Sequence, residues 1–313
     1  MLRWLLLSLS LLAAGLARGE PAAHDLDWFD ESRQRAVPVR LYWPEGAQRV
    51  PLVVFSHGIG GSRLGYSYLG EYFAANGMAS LHLQHVGSDR SLWVGNPVSL
   101  VGRLHDAAQE REALERVKDL RFALDRLLAH ETFGARVDRG RIAAAGHSYG
   151  ANTVMLAAGA SVQRDGRRLE LREPRLRAAV LLSAPPFYGE DDLKAILRSI
   201  TLPTLHVTAT EDIIRIPGYY SPASDRIAVF EAVGSPLKAL AVFEGGSHSI
   251  FTNRGGTGGV ELNPKVKAAT KELALAFLRR VFEGKDDALA RWTDAHRPLL
   301  ARWISPGTAA AVR

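Results

Sequence analysis

A serine set between two glycines, Gly146-His147-Ser148-Tyr149-Gly150, is a pattern that can turn a hydroxyl into a nucleophile. The glycines leave room for a tight turn with a strained central residue, so that the Ser148 oxygen stands clear of the backbone. In a chain with 29 glycines the pattern by itself is a weak sign, and its position decides. It follows the apolar run Ile142–Ala145, which reads as a strand, and precedes Ala151–Leu156, which reads as a helix. That is the strand-turn-helix context such a serine needs. A helix starting just after Ser148 also aims its N-terminal dipole at developing negative charge.

A serine hydroxyl is a poor nucleophile near neutral pH without an imidazole to take its proton and a carboxylate to orient the imidazole. The chain has ten histidines. His248 stands out, because the run Leu240–Phe243 leads into Glu244-Gly245-Gly246-Ser247-His248, a glycine-rich loop beyond a strand's carboxyl end. His206 falls inside a strand and reads as core, and His147 is committed to the turn itself. For the acid, Leu202–Val207 leads to Thr208-Ala209-Thr210-Glu211-Asp212, which places Asp212 past the end of the strand before the one presenting His248. Asp191 and Asp192, after Ala178–Leu182, are rivals, although Glu190-Asp191-Asp192 also reads as an acidic first helical turn. Glu211 and Glu244 are weaker candidates.

Acyl chemistry further needs two backbone N–H donors for the tetrahedral oxyanion, one following the nucleophile and one from the loop after an early strand. Tyr149 is the first candidate. Ile59, in His57-Gly58-Ile59-Gly60-Gly61 after the strand ending at Phe55, is the second. Gly255-Gly256-Thr257-Gly258-Gly259 follows no strand and reads as a flexible loop at the rim of the site, not as a phosphate loop. No histidine-aspartate cluster of zinc type is evident, and the chemistry requires neither metal nor organic cofactor.

These residues need a scaffold of short buried strands. Unbroken apolar runs recur at Leu52–Phe55, Ala79–Leu83, Ile142–Ala145, Ala178–Leu182, Leu202–Val207 and Leu240–Phe243, separated by helical segments. Alternation of this kind predicts an α/β fold with a mostly parallel sheet and helices on both faces. Val37–Tyr42 alternates and is expected as an antiparallel edge strand at the sheet margin. The spacing predicts a long helix from about Asp106 to His130 and another from Pro264 to Phe282, the proline opening it. The segment 286–313, with Trp292 and Trp303, has no assigned place.

The 313 residues, 47% hydrophobic and 23% charged, suit one large domain spanning 20–313. Residues 1–19 read as a cleaved signal peptide: Arg3, an apolar run from Trp4 to Leu16 too short to span a bilayer, then Ala17-Arg18-Gly19. An exported protein, periplasmic or secreted and not stably inserted in a membrane, is expected. The 39 basic and 33 acidic residues give +6; without Arg3 and Arg18 the counts are 37 and 33, or +4. That excess is mild. Apart from Arg164, Arg167 and Arg168 the basic residues are scattered, and no groove for nucleic acid is suggested.

Taken together, Phe55-Ser56-His57-Gly58-Ile59-Gly60, Gly146-His147-Ser148-Tyr149-Gly150, Asp212 and Gly246-Ser247-His248 resemble the α/β-hydrolase superfamily. Within it the chain is similar to bacterial dienelactone-hydrolase-like enzymes and platelet-activating-factor acetylhydrolases, the likeness including Gln84-His85-Val86-Gly87-Ser88-Asp89. The resemblance implies a carboxylic ester hydrolase acting on a small-molecule ester. Two departures stand against carrying over a substrate. Dienelactone hydrolases proper use a cysteine nucleophile, and this chain has no cysteine; the acetylhydrolases take their acid from the earlier strand. Amide or polyester hydrolysis, acyl transfer, or a silent binding protein of the same fold are the other readings. Aromatics at Trp93, Phe187, Tyr188, Tyr219 and Tyr220 are placed either to line a substrate site or to plug the core beneath the loops.

Overall fold

The computed structural model describes residues 22–46, 48–164, 166–187, 189–216, 219–254 and 259–307. The expected signal peptide, Tyr188, Gly218 and all but the last glycine of the 255–259 loop lie outside them.

Among the described residues the strands are β1 (Ala22–Asp30), β2 (Arg35–Trp43), β3 (Val50–Ser56), β4 (Ala79–Leu83), β5 (Val137–His147), the short β6 (Gln163–Arg164) and β7 (Arg167–Arg168), β8 (Leu176–Leu182), β9 (Thr204–Glu211), β10 (Ile214–Ile216), β11 (Tyr219–Ser221), β12 (Lys238–Ser247) and β13 (Leu300–Ile304). The helices are α1 (Ser67–Ala75), α2 (Leu100–Ala107), α3 (Glu110–Leu128), α4 (Tyr149–Ala158), α5 (Leu193–Leu197), α6 (Ser224–Ala232), α7 (Gly259–Glu283) and α8 (Asp287–His296). One nine-stranded sheet runs in the order β1-β2-β4-β3-β5-β8-β9-β12-β13. Its six middle strands, β4 to β12, are parallel. The outer pairs are antiparallel.

The apolar runs form the central strands because both sheet faces are covered. In β3, Leu52 and Val54 join the core under α3 and α4, whereas Val53 and Phe55 join the core on the opposite face with α1 and α7. All seven residues of β3 are buried. A run with no polar alternation is the signature of that double burial.

Three expectations need correction, and one unplaced segment finds its place. The strand β2 is not the margin: β1 lies outside it, paired from Ala22↔Trp43 to Asp30↔Arg35, and its half-polar sequence carries little strand signal. The helix expected over 106–130 is two. Gln109 adopts an extended backbone (φ −68°, ψ 156°) that ends α2 and restarts the chain as α3, so α3 lies on the sheet while α2 turns away from it. The helix α7 begins at Gly259, which leaves Pro264 inside it, past the first turn where a missing N–H costs nothing. Of the segment 286–313, which had no assigned place, the described residues 286–307 pack against the body. The α8 residue Trp292 is buried with its indole N–H on Ala269 C=O at 2.8 Å, and β13 pairs antiparallel with β12 as the sheet's other edge.

Candidate active site

The serine turn sits where β5 ends, at the middle of the sheet, and is strained as expected. Ser148 has φ 55° and ψ −122°, outside the regions a side-chain-bearing residue ordinarily adopts. Its N–H donates to Leu182 C=O of β8 at 2.9 Å, which fixes the turn to the neighbouring strand. Neither flanking glycine has a positive φ. Both are required by close approach instead: a Cβ on Gly150 would overlap the Ser56 carbonyl, and one on Gly146 would overlap the Gly150 carbonyl.

The other two side chains converge on it. The β12 ladder against β9 breaks between Phe243 and Ser247, where Gly245 (φ 67°) and Gly246 (φ 91°) form the bulge that releases His248. Its Nε2 lies 2.8 Å from Ser148 Oγ and its Nδ1 lies 2.7 Å from Asp212 Oδ1. With Asp212 ionised, Nδ1–H donates to the carboxylate and Nε2 is left to accept the Ser148 proton. Asp212 is fully buried, accepts a second hydrogen bond from Thr208 Oγ1 at 2.6 Å, and has Arg226 Nε of α6 3.5 Å away. Burial pushes its carboxyl up, but the His248 hydrogen bond and charge and the Arg226 guanidinium outweigh this and hold it well below the usual carboxylate range. Asp192 is elsewhere: it is exposed and caps α5 through Ala195 N–H at 2.9 Å. Asp191, Glu211 and Glu244 are exposed as well, and Glu244 is within 3.4 Å of Thr210 Oγ1.

His147 points away from Ser148 and ties the turn to the His248 loop. Tyr66 O–H donates to its Nδ1 at 2.8 Å, so its Nε2–H donates to the His248 carbonyl at 2.9 Å and holds the backbone of that loop. Burial, together with the charge of His248, pushes its pKa down to about 3. His206 is buried in the core against Phe230.

The turn carrying Ile59 packs against the serine. A Cβ on Gly58 would lie 3.3 Å from Ser148 Cβ, and Ile59, Ser148 and Tyr149 share one cavity wall. The turn is braced from below. Gly60 N–H donates to Ser88 C=O at 2.8 Å, Gly61 N–H to Gly58 C=O at 3.0 Å, and Trp93 lays its indole N–H on Gly60 C=O at 2.8 Å. His85 N–H donates to His57 Nε2 at 3.1 Å, which leaves His57 Nδ1–H for Gly58 C=O at 2.7 Å.

Beneath lies a polar network that sequence reading missed. Arg116, fully buried on α3, donates to Thr153 Oγ1 at 2.9 Å, Ser88 Oγ at 2.8 Å, Ser56 Oγ at 3.1 Å and the His57 carbonyl, and stacks 4.5 Å from the Tyr149 ring centre. Burial pushes its pKa down to about 10. His85 bridges Ser56 Oγ (2.8 Å) and Asp119 (3.0 Å), and Asp119 pairs with Arg33 and Arg35. A signal existed for Arg116: it lies at helical spacing with Leu120, Ala123 and Leu127 on the buried stripe of α3, where a charge needs partners. Nothing comparable marked Arg226, Thr208 or Tyr66.

A cavity of about 390 Å³ opens at Ser148, and Phe187 and Tyr219 are among its walls. Trp93 instead braces the Gly60 turn, and Tyr220 is 60% exposed and outside the cavity wall, so of these four loop aromatics only Phe187 and Tyr219 line it. No group of three or more His, Asp or Glu side chains among the described residues could hold a metal ion.

The sheet order, with the serine turn after the central strand β5, is that of one large superfamily of folds. The model of the family described as platelet-activating factor acetylhydrolase, isoform II, matches residues 30–97. The nine-stranded, mostly parallel sheet with helices around it is an α/β-hydrolase fold. The matched stretch runs from the end of β1 through β4, contains the His57–Gly61 turn and Gln84–Asp89, and stops before Ser148. It supports an ester-directed hydrolase of lipase or esterase type. No curated protein matches the chain.

Proposed function

We propose that the protein is a serine esterase that works through an acyl-enzyme. The observation that carries the proposal is the continuous chain Ser148 Oγ, His248, Asp212, at 2.8 and 2.7 Å, at the head of a cavity. Ser148 Oγ bonds to the ester carbonyl carbon as its proton passes to His248 Nε2; Asp212 holds the resulting imidazolium. The oxyanion is met by the Ile59 and Tyr149 N–H groups, the second at the start of α4. Collapse breaks the bond to the alcohol oxygen, which leaves with the His248 proton. Water, deprotonated by His248, then attacks the acyl carbon and releases the acid and Ser148.

Residues 1–19 add the proposal of export, checked by N-terminal sequencing of the mature protein. The esterase reading is tested with a fluorophosphonate and p-nitrophenyl acetate. Stoichiometric labelling of Ser148, and loss of turnover in Ser148→Ala, are expected. A folded protein labelled nowhere, or an alanine variant as active as the parent, sinks the proposal.

A further inference from the structure

We infer that the cavity beside Ser148 is a site for an unbranched apolar acyl chain of medium length, about eight to ten carbons. The inference rests on the esterase reading and adds the substrate class. Its first support is which half of an ester the cavity can take. His248 must protonate the departing alcohol oxygen, so the alcohol lies on the His248 side, and His248 is not part of the cavity wall, whereas Ser148, Ile59 and Tyr149 are. The His248 side chain keeps 17% of its surface open, so the alcohol half faces outward and the acyl half faces in.

The second support is length. Tyr149, Asn152, Thr153 and Leu156 line the cavity as a single stripe along α4. From Ser148 to Leu156 the helix rises about 12 Å at 1.5 Å per residue, the reach of an extended chain of roughly ten carbons. The third is volume: a cavity of about 390 Å³ lies in the range that holds a small ligand and has room for a carbonyl group with a chain of that length.

The fourth is the chemistry of the far end. Beyond Leu156 the cavity is walled by Val162, Leu169 and Leu171, which flank the β6–β7 hairpin and offer a chain terminus no side-chain polar group. The helix break at Gln109 belongs to the same design. It lets α2 swing off the sheet and roof the cavity with Val101, Leu104 and Ala108, with His105, Gln109 and Glu110 also in the wall, while Ala113 on α3 faces the same space.

The test is a series of p-nitrophenyl esters of straight-chain acids from acetate to palmitate. Expected is a rise in kcat/KM of about two- to fourfold per added methylene up to octanoate or decanoate, with no further gain beyond. Leu156→Trp, two turns from the serine, and Leu171→Trp, at the far end, should each lower the decanoate-to-acetate ratio at least tenfold. Fluorophosphonate labelling of the variants shows that their sites are assembled. Decanoate should also bind the Ser148→Ala protein, with acetate showing no binding at the same concentration. A wild type that labels at Ser148 and hydrolyses acetate best, with no decanoate binding, overturns the chain-length inference and leaves the esterase standing. A wild type that neither labels nor turns over any ester overturns both.

Discussion

Acid should unfold this protein in a pH range set by its histidines. His82, His147 and His206 are fully buried and neutral, and burial pushes their pKa values down to about 4, 3 and 3 from an unfolded value near 6.5. His57 and His85 are shifted the same way, first by burial and then by the charge of Arg116. Below pH 6.5 the unfolded chain takes up protons that the folded chain refuses, so stability is full above about pH 7 and is lost as the pH falls towards 4. At pH 5 each of the three histidines has cost about 2 kcal/mol, at about 1.4 kcal/mol per pH unit, or about 6 kcal/mol together. That is a large share of the roughly 5–15 kcal/mol that holds a domain folded. Asp212 does not contribute in this window. Its carboxyl is held low in the fold, so the stability it supplies is present above the unfolded carboxylate value near 4 and is lost only below it. Urea unfolding followed by circular dichroism at pH 7.5, 6.5, 5.5 and 5.0 measures the loss. His206→Gln, which removes one buried imidazole while retaining a polar group near Thr204 Oγ1, should recover about 2 kcal/mol of the difference between pH 7.5 and 5.0. Unfolding free energies at those two pH values that agree within about 1 kcal/mol would refute the reasoning.

Asp212→Ala should lower kcat by about 10³- to 10⁴-fold, whereas Asp192→Ala should leave kcat unchanged and cost about 1 kcal/mol through the lost α5 cap; parallel kinetics and urea melts compare them. Arg116→Met strips four partners and should destabilise by about 3–5 kcal/mol; Arg116→Lys should restore little of this, because an ammonium cannot reach Thr153, Ser88, Ser56 and the His57 carbonyl together. Gly150→Ala forces a methyl group against the Ser56 carbonyl and should cost about 3 kcal/mol, read as a lower urea midpoint, and with it the register of the serine turn against the Gly58 loop.

Much of this was legible in the chain because it was local. Ser148 lies between a strand and a helix within a dozen residues, and Ile59, Asp212 and His248 each follow the carboxyl end of a buried apolar run. Burial on both faces leaves a strand without polar alternation, so the central strands declare themselves, although their order in the sheet came only with the structure. The preference for Asp212 over Asp192 also drew on chain order, and the distances agree with it: one carboxylate meets His248 and the other caps a helix. Edge strands lack that signal. Strand β1 is half-polar and strand β13 is five residues long with none of them buried, and only pairing with β2 and β12 makes them strands. The α2–α3 break depends on a backbone angle at Gln109 that no residue type there demands, yet it provides the roof of the cavity. Charges on an apolar helical stripe, Arg116 and Asp119, showed that partners must exist but not which ones, since Ser56, His57, Ser88, Thr153 and His85 come from three other segments. The serine turn and the chain order of Ser148, Asp212 and His248 were therefore written along the chain, where strand, turn and helix are neighbours. The depth and shape of the space beside it were decided by tertiary structure, because helices and loops far apart in sequence meet only when the sheet is assembled.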